Sequence, residues 1–268
     1  MVSFPFCKIN LGLQVVSRRP DGFHNIETCF YPVPWCDVLE IIPSTDFSFT
    51  HTGISIPNDG TENLCVKAYN KLRDAFDIPP GKIHLHKIIP MGAGLGGGSA
   101  DAAFTLKSLN TIFSLQLSLE KLSEMAAQLG SDCSFFLHDK AMIGSGRGEV
   151  LRPINVSLTG KFMVIVKPDI HVSTADAYKG VAIDKSRAPL KEMLLEGVKN
   201  WKNTLVNDFE RSVFAQYPQI EQLKVALYGA GAFYASMSGS GSSVYGLFDT
   251  PVAIEDQFKG MIYWSGSL

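Results

Sequence analysis

Residues 90–103 hold the groups best suited to chemistry: Pro90-Met91-Gly92-Ala93-Gly94-Leu95-Gly96-Gly97-Gly98-Ser99 runs straight into Ala100-Asp101-Ala102-Ala103. Glycine has no Cβ, so this backbone can take positive φ and approach an anion closely, while the helix that follows offers unpaired N–H groups and a positive dipole end. The chemistry that fits is the cradling of a phosphate. A flexible linker is the alternative, yet Ala102, Ala103, Leu106, Leu109 and Phe113 keep helical spacing on one face, which a linker does not need. The stretch is no Walker loop, because G-x-x-x-x-G-K-[ST] is missing from it. G-x-G-x-x-G does occur from Gly92 to Gly97, but it follows several extended segments and a helix instead of opening a first βα unit, so a dinucleotide fold is a weak reading.

Other residues could join such a cradle. Lys8 and Asn10 share the polar side of an alternating segment with Gly12 and Gln14, a side that leads towards a ligand cleft. Asp132, after Gly130-Ser131, suits either a helix cap or an acid–base role. A second glycine turn, Ser238-Gly239-Ser240-Gly241-Ser242-Ser243, lies between apolar flanks and by itself reads as a hairpin. Phe23-His24, just past a Pro-Asp-Gly turn, reads alone as a pair of turn-end residues, and Asn63 as the first residue of a helix. His84 and His86 stand two apart on one strand face, but no third ligand is tied to them by motif, so they are not read as a metal pair.

The elements that must position these groups follow from periodicity. Ile9, Leu11, Leu13 and Val15 alternate with polar neighbours over residues 8–15, predicting a strand with one buried face; Arg19-Pro20-Asp21-Gly22 then turns the chain into extended segments over 26–33 and 38–42. An amphipathic helix is predicted over 63–76, a strand over 83–89 leading into the glycines, and a second helix after Ser118 that stops at Gly130. Short strands are predicted over 141–143 and 150–154, around Gly144-Ser145-Gly146-Arg147-Gly148. Beyond the polar stretch 155–160 come a strand over 162–166, helices near 173–178, 189–196 and 218–228, and strands around Ala235 and over 244–248. Strands and helices without a regular βαβ repeat argue for an α+β class, and the polar stretch divides the chain into domains 1–156 and 157–268.

Composition sets the outer limits. With 268 residues, 46% hydrophobic and 19% charged, the chain can bury two ordinary cores; a net charge of −2 leaves no footprint for nucleic acid or an anionic membrane. Five cysteines, odd in number and without C-x-x-C spacing, read as reduced thiols, and no apolar run or signal segment marks a membrane or secreted protein, so the cytoplasm is expected.

Taken in order, the Lys8 strand, the Pro-x-x-x-Gly-Leu-Gly-x-x-Ser loop and the late Ser-Gly-Ser-Gly turn resemble the GHMP family of small-molecule kinases. Lys8-Ile9-Asn10-Leu11, Arg19-Pro20-Asp21-Gly22-Phe23-His24, Leu129-Gly130-Ser131-Asp132-Cys133-Ser134-Phe135-Phe136 and Met237-Ser238-Gly239-Ser240-Gly241 narrow the resemblance to the branch that phosphorylates a cytidine-diphosphate methylerythritol. It implies a two-domain architecture, an N-terminal domain like domain 2 of ribosomal protein S5 and a C-terminal ferredoxin-like α/β sandwich. The implied reaction moves the γ-phosphoryl group of ATP, with Mg²⁺ and no nominated protein ligand for it, to the substrate's 2-hydroxyl in the non-mevalonate route to isoprenoids. The working form implied is a monomer or homodimer. By resemblance Asp132 is the base and Lys8 keeps it ionised and neutralises the moving charge. Asn63, Lys87, Pro90, Met91, Gly92, Ala93, Gly94, Leu95, Gly96, Gly97, Gly98 and Ser99 hold the nucleotide; Asn10, Phe23, His24, Ser173, Thr174, Ser238, Gly239, Ser240 and Gly241 meet the substrate. Phe23 stands where the family has Tyr, which keeps a stacking face without its hydroxyl, and Ala100 stands where a second Ser is common. Homoserine- or mevalonate-type kinases of the family, and a ligand-sensing relative without turnover, are the rival implications.

Overall fold

A computed structural model describes residues 1–56, 60–184 and 186–268. In chain order the strands and helices are β1 (Val2–Ser3), β2 (Phe6–Arg18), β3 (His24–Cys36), β4 (Val38–Pro43), β5 (Ser48–Gly53), α1 (Leu64–Phe76), β6 (Gly81–Lys87), α2 (Gly97–Ile112) and α3 (Leu119–Ala127). They continue with β7 (Met142–Gly146), β8 (Val150–Pro153), β9 (Phe162–Lys167), α4 (Thr174–Lys179), α5 (Leu190–Leu195), α6 (Trp201–Thr204), α7 (Phe209–Gln216), α8 (Pro218–Gly229), β10 (Tyr234–Met237), β11 (Val244–Phe248) and β12 (Ile262–Ser267). Short 3-10 turns at Cys133–Leu137 and Glu255–Phe258 complete the list. This is the mixed strand and helix content of the α+β class.

Packing gathers these elements into two compact units that are interleaved along the chain. The first unit comprises 1–7, 35–91 and 96–139. Its sheet has the order β1-β4-β6-β5, antiparallel except for the parallel β5–β6 pair. One face of that sheet (Leu39, Ile41, Ile83, Leu85) is buried with the apolar sides of α1 (Ala68, Tyr69, Leu72) and α2 (Ala102, Ala103, Leu106, Leu109). α1 begins because the Asn63 Oδ1 accepts from the Cys65 amide at 2.8 Å, and it ends at Asp77 in the left-handed region, φ 48°. α3 begins with the Ser118 hydroxyl accepting from the Lys121 amide at 3.2 Å.

The second unit comprises 8–34, 92–95 and 140–268, with sheets ordered β2-β3-β7-β8 and β10-β11-β9-β12. Its core joins Leu13, Val15 and Ile26 to Val164 and Val166 of β9, Phe209 and Val213 of α7, and Leu223 and Leu227 of α8. The division expected at 156/157 falls inside this unit, between β8 and β9.

Several expectations are corrected. β2 is buried on both sides, since Lys8, Asn10 and Gln14 are as enclosed as Ile9, Leu11 and Leu13. β11 likewise buries every residue from Val244 to Phe248. α2 starts within the glycines, at Gly97, so two of them form its first turn instead of preceding it. β1, β5, α6, α7 and β12 are not among the predicted elements: β5 (Ser-Phe-Thr-His-Thr-Gly) lacks aliphatic alternation, and β1 and α6 are too short for any period to show.

Candidate active site

Lys8 organises the site. Its Nζ is buried and donates to Asn10 Oδ1 at 2.7 Å and to the Gly94 carbonyl at 2.9 Å, while its backbone N donates to the Leu95 carbonyl at 2.9 Å. An ammonium survives out of water only when such acceptors replace its hydration. Asn10 passes the network on, Nδ2 donating to Thr28 Oγ1 at 2.9 Å and Thr28 Oγ1 to the Gly12 carbonyl at 2.7 Å. The polar side of β2 is thus an enclosed hydrogen-bond chain. Fixing Lys8 this way pins residues 94 and 95 of the glycine loop to the strand.

The two glycine turns meet at the same point. Ser238 Oγ donates to the Gly94 carbonyl at 2.9 Å, and the Ser243 amide donates to the Ala93 carbonyl at 3.3 Å. Gly94 has φ 77°, and a Cβ there would lie 1.9 Å from the Ser238 carbonyl oxygen, so no side chain fits. The Ser238 turn is also the hairpin that its sequence allows, joining β10 to β11 with Met237 opposite Val244. The hairpin reading of that motif therefore holds, with a contact to the first glycine loop besides.

Beyond Leu95 the chain enters the first unit. Gly96 takes φ 72° and α2 begins at Gly97, whose missing side chain matters: a Cβ would lie 2.9 Å from Lys87 Nζ and 2.9 Å from Ile89 Cγ2. Lys87 is wholly buried between Asp37 and Asp101, with Nζ to Asp101 Oδ2 at 2.8 Å. Asp37 Oδ1 also accepts from the Ile89 amide at 2.8 Å. Lys87, named by resemblance as a nucleotide contact, is therefore placed under the first turn of α2 with its ammonium held by two carboxylates. Ala100 is fully buried in α2, so the missing hydroxyl at that position concerns packing within the unit.

Burial pushes the Asp101 carboxyl up to about 7 from an ordinary 3.8; Lys87 opposes that and the neighbouring Asp37 carboxylate adds to it. Burial alone would lower Lys87, but Asp101 and Asp37 outweigh it and hold it above its usual value. Because the native carboxyl of Asp101 binds its proton more tightly than the unfolded chain does, its contribution to stability is complete below about pH 4 and is lost as pH rises through about 7. Asp101→Asn, which leaves the Lys87–Asp37 pair in place, is expected to flatten the decline of Tm between pH 4 and 7. An unchanged slope would assign the decline to other groups.

Asp132 lies at the start of the 3-10 turn Cys133–Leu137, half-buried, and its side chain makes no capping hydrogen bond, so the capping alternative does not account for it. Ser99 and Cys133 lie near one another around Gly130: a Cβ at Gly130 would be 3.2 Å from Cys133 Sγ and 3.9 Å from Ser99 Oγ. Asn63, capping α1, is next to Leu64, whose Cδ1 would lie 3.8 Å from a Cβ at Gly98.

The aromatic pair of the Pro-Asp-Gly turn is split in character. Phe23 is 55% exposed, with the Arg147 guanidinium 5.2 Å from its ring centre. His24 opens β3 and stacks on Tyr178 of α4 at 4.6 Å and 14°, Tyr178 itself resting edge-on against Phe209. Tyr178 had no motif of its own and Arg147 only a place in a glycine loop, so the sequence did not single out either. Ser173 caps α4, its hydroxyl accepting from the Asp176 amide at 3.0 Å, and Thr174 Oγ1 lies 3.3 Å from Ser240 Oγ. Among the described residues no cluster of three His, Cys, Asp or Glu side chains could hold a metal ion, and His84 and His86 face Thr50 and Thr52 at 2.9 Å each. No helix among them is long and apolar enough to cross a membrane.

Residues 63–140 match the GHMP kinases N terminal domain and residues 187–261 the GHMP kinases C terminal domain. The chain belongs to the GHMP kinase family. Within the GHMP kinases it is 51% identical over 251 residues to a 4-diphosphocytidyl-2-C-methyl-D-erythritol kinase of Cytophaga hutchinsonii, covering 93% of each chain. It is 52% identical over 252 residues to the enzyme of the same name in Bacteroides fragilis, covering 92% of each. A crystal structure of 4-(cytidine 5'-diphospho)-2C-methyl-D-erythritol kinase superposes with a TM-score of 0.86 at 30% identity, over 100% of this chain and 98% of that one. A homoserine kinase of Cytophaga hutchinsonii, at 16% identity and a TM-score of 0.69, shares the GHMP fold alone.

Proposed function

We infer that this GHMP kinase transfers the γ-phosphoryl group of ATP to the 2-hydroxyl of 4-diphosphocytidyl-2-C-methyl-D-erythritol, giving the 2-phosphate and ADP in the non-mevalonate route to isoprenoid precursors. The observation that carries the reading is the junction of Lys8, the Gly94 carbonyl and Ser238 Oγ, which ties a buried cation to both glycine turns, in a chain about half identical to enzymes of that name.

In this reading the 2-hydroxyl oxygen attacks the γ-phosphorus, the bond from that phosphorus to the β–γ bridging oxygen breaks, and the hydroxyl proton passes to the Asp132 carboxylate. Phosphoryl transfer of this kind depends on alignment and on charge stabilisation more than on covalent help from the protein. Lys8 supplies the fixed positive charge, and its hydrogen bonds to Asn10 and Gly94 allow it little freedom to swing. Backbone amides from Gly94 to Ser99 cradle the phosphates, and Asn63, Pro90, Met91, Gly92 and Ala93 line the nucleotide, with Lys87 supporting the loop from beneath the first turn of α2, where two carboxylates hold it. Mg²⁺ bound to the nucleotide would lower the charge of its phosphates; such an ion keeps waters and needs few protein ligands. The cytosine stacks on Phe23, and His24 reads its polar edge. Ser173, Thr174 and the turn Ser238 to Gly241 close on the rest of the substrate with Asn10. The family's two domains are taken as 1–156 and 157–268, and the cytoplasm as the compartment, where five free thiols are at home.

Purified protein with MgATP, offered the cytidyl substrate, homoserine and mevalonate separately, tests the reading by ADP release. Turnover with the first alone is expected; turnover with either of the others in its place would overturn it. His24→Ala is expected to raise KM for the cytidyl substrate about threefold to tenfold, the worth of one hydrogen bond, with kcat within twofold. An unchanged KM would remove His24 from the cytosine site.

A further inference from the structure

Asn207 stands outside every motif discussed so far, between α6 and α7, and is almost wholly buried. Its backbone is pinned by a parallel bridge to Leu13, the Leu13 amide donating to the Val206 carbonyl at 3.0 Å and the Asp208 amide to the Leu13 carbonyl at 2.9 Å. Its side chain bonds to the second glycine turn and to its own helix, using both amide hydrogens. Nδ2 donates to the Met237 carbonyl at 2.8 Å and to the Gly239 carbonyl at 2.8 Å, and Oδ1 accepts from the Phe209 amide at 3.0 Å. Glu210, one helical position on, accepts from the Met237 amide at 2.8 Å and from Ser236 Oγ at 3.0 Å.

A trans peptide is planar, with its C=O and N–H pointing in opposite directions. Holding the Gly239 carbonyl inward therefore points the Ser240 N–H away from Asn207. Gly239 reaches this conformation with φ 54°, and Ser240 is only partly buried while Ser238, Gly239 and Gly241 on either side are enclosed. Ser240 is the partly exposed tip of a turn whose root is fixed by Lys8's partner Gly94 through Ser238. An outward N–H at such a tip is a donor for an anionic oxygen.

We propose that Asn207 is a positioning residue for phosphoryl transfer: by holding the Gly239 carbonyl it aims the Ser240 N–H at a phosphoryl oxygen of the bound ligands. This rests on the kinase reading above. Asn207 touches no ligand itself; it acts through the turn. The phosphoryl oxygen belongs either to the nucleotide or to the diphosphate of the acceptor, and separate titrations distinguish them.

The test uses the full chain, labelled with ¹⁵N, titrated with AMPPNP and with CDP while the amides of Ser240, Gly97 and Ser99 are followed. Asn207→Asp keeps the shape and the acceptor for Phe209 but sets oxygen against two carbonyls; Asn207→Ser serves if that variant fails to fold. Leu227→Ala, in the core of the same unit, is the control for a similar loss of Tm. The wild-type Ser240 amide is expected to shift with one of the two ligands. In a folded Asn207 variant that response should fall to less than a third, with the Gly97 and Ser99 responses to AMPPNP kept. kcat should fall at least tenfold, KM for both substrates should stay within threefold, and Leu227→Ala should keep both kcat and the Ser240 response. An unchanged Ser240 response and kcat in a folded Asn207 variant, or an equal kcat loss in Leu227→Ala, would overturn the proposal. If the wild-type Ser240 amide ignores both ligands while Gly97 responds and turnover is normal, the proposal falls and the kinase reading stands. Absence of turnover together with silence at Gly97 and Ser99 would bring down both.

Discussion

Asp132→Asn is expected to fold with the wild-type Tm within a few degrees, to bind ATP with unchanged affinity, and to lose about a hundredfold to ten-thousandfold in kcat, the usual worth of a positioned general base. The amide is isosteric with the carboxylate but cannot take up the proton of the 2-hydroxyl. Two features make the outcome decisive. The Asp132 side chain makes no capping hydrogen bond to the 3-10 turn it precedes, so a lost cap cannot explain a drop in rate. It is also half-buried, so the amide that replaces it stays in contact with water. Steady-state kinetics in both substrates, with nucleotide binding measured separately by calorimetry, distinguishes the roles. Full activity would end the assignment of Asp132 as base, and a matched rise in KM with kcat unchanged would move it to substrate binding.

Lys8→Met carries the second large effect. Methionine matches the length and volume of the lysine stem, so packing along β2 survives, but Asn10 Oδ1 and the Gly94 carbonyl lose a charged donor. Ser238 Oγ still donates to Gly94 at 2.9 Å, which keeps that carbonyl satisfied and the two glycine turns together. A buried acceptor left short of a partner costs about 1–3 kcal/mol, so a modest fall in Tm is expected. Removal of a preorganised charge from the transferring phosphoryl costs more: about a hundredfold to a thousandfold in kcat. Circular dichroism melts and kcat on the same samples test both parts. A variant that melts early yet turns over at the wild-type rate would make Lys8 a structural strut for Gly94 and no more.

Much of this molecule was legible in its sequence, for reasons that are local. Helix α1 could be bounded because its start needs an acceptor for the Cys65 amide, and Asn63 is such a residue. The glycine loop was visible because positive φ at residues 92, 94 and 96 favours glycine, a preference local to each residue. Apolar alternation in β2 showed which side chains go inwards. It could not show that the polar side goes inwards as well, since Lys8, Asn10 and Thr28 satisfy one another through partners up to 86 residues apart, as Lys8 and Gly94 are.

What the sequence by itself determined was the set of chemical parts: a phosphate-cradling loop, a lysine strand, an acid after Gly130-Ser131, an aromatic pair and a second glycine turn, in the order that marks a GHMP kinase. Only the tertiary structure decided which parts meet. Gly94 and Ser238 lie 144 residues apart, and nothing in either segment encodes the other, yet their contact leaves no room for a single Cβ. The same holds for Lys87, whose ammonium turned out to be enclosed by Asp37 and Asp101 beneath Gly97, and for Asn207, whose amide spans two carbonyls of a distant turn. Backbone conformation and periodicity are short-range constraints that leave a trace at each residue. Hydrogen bonds between buried polar groups are satisfied only in the folded chain, so their partners can be read only there.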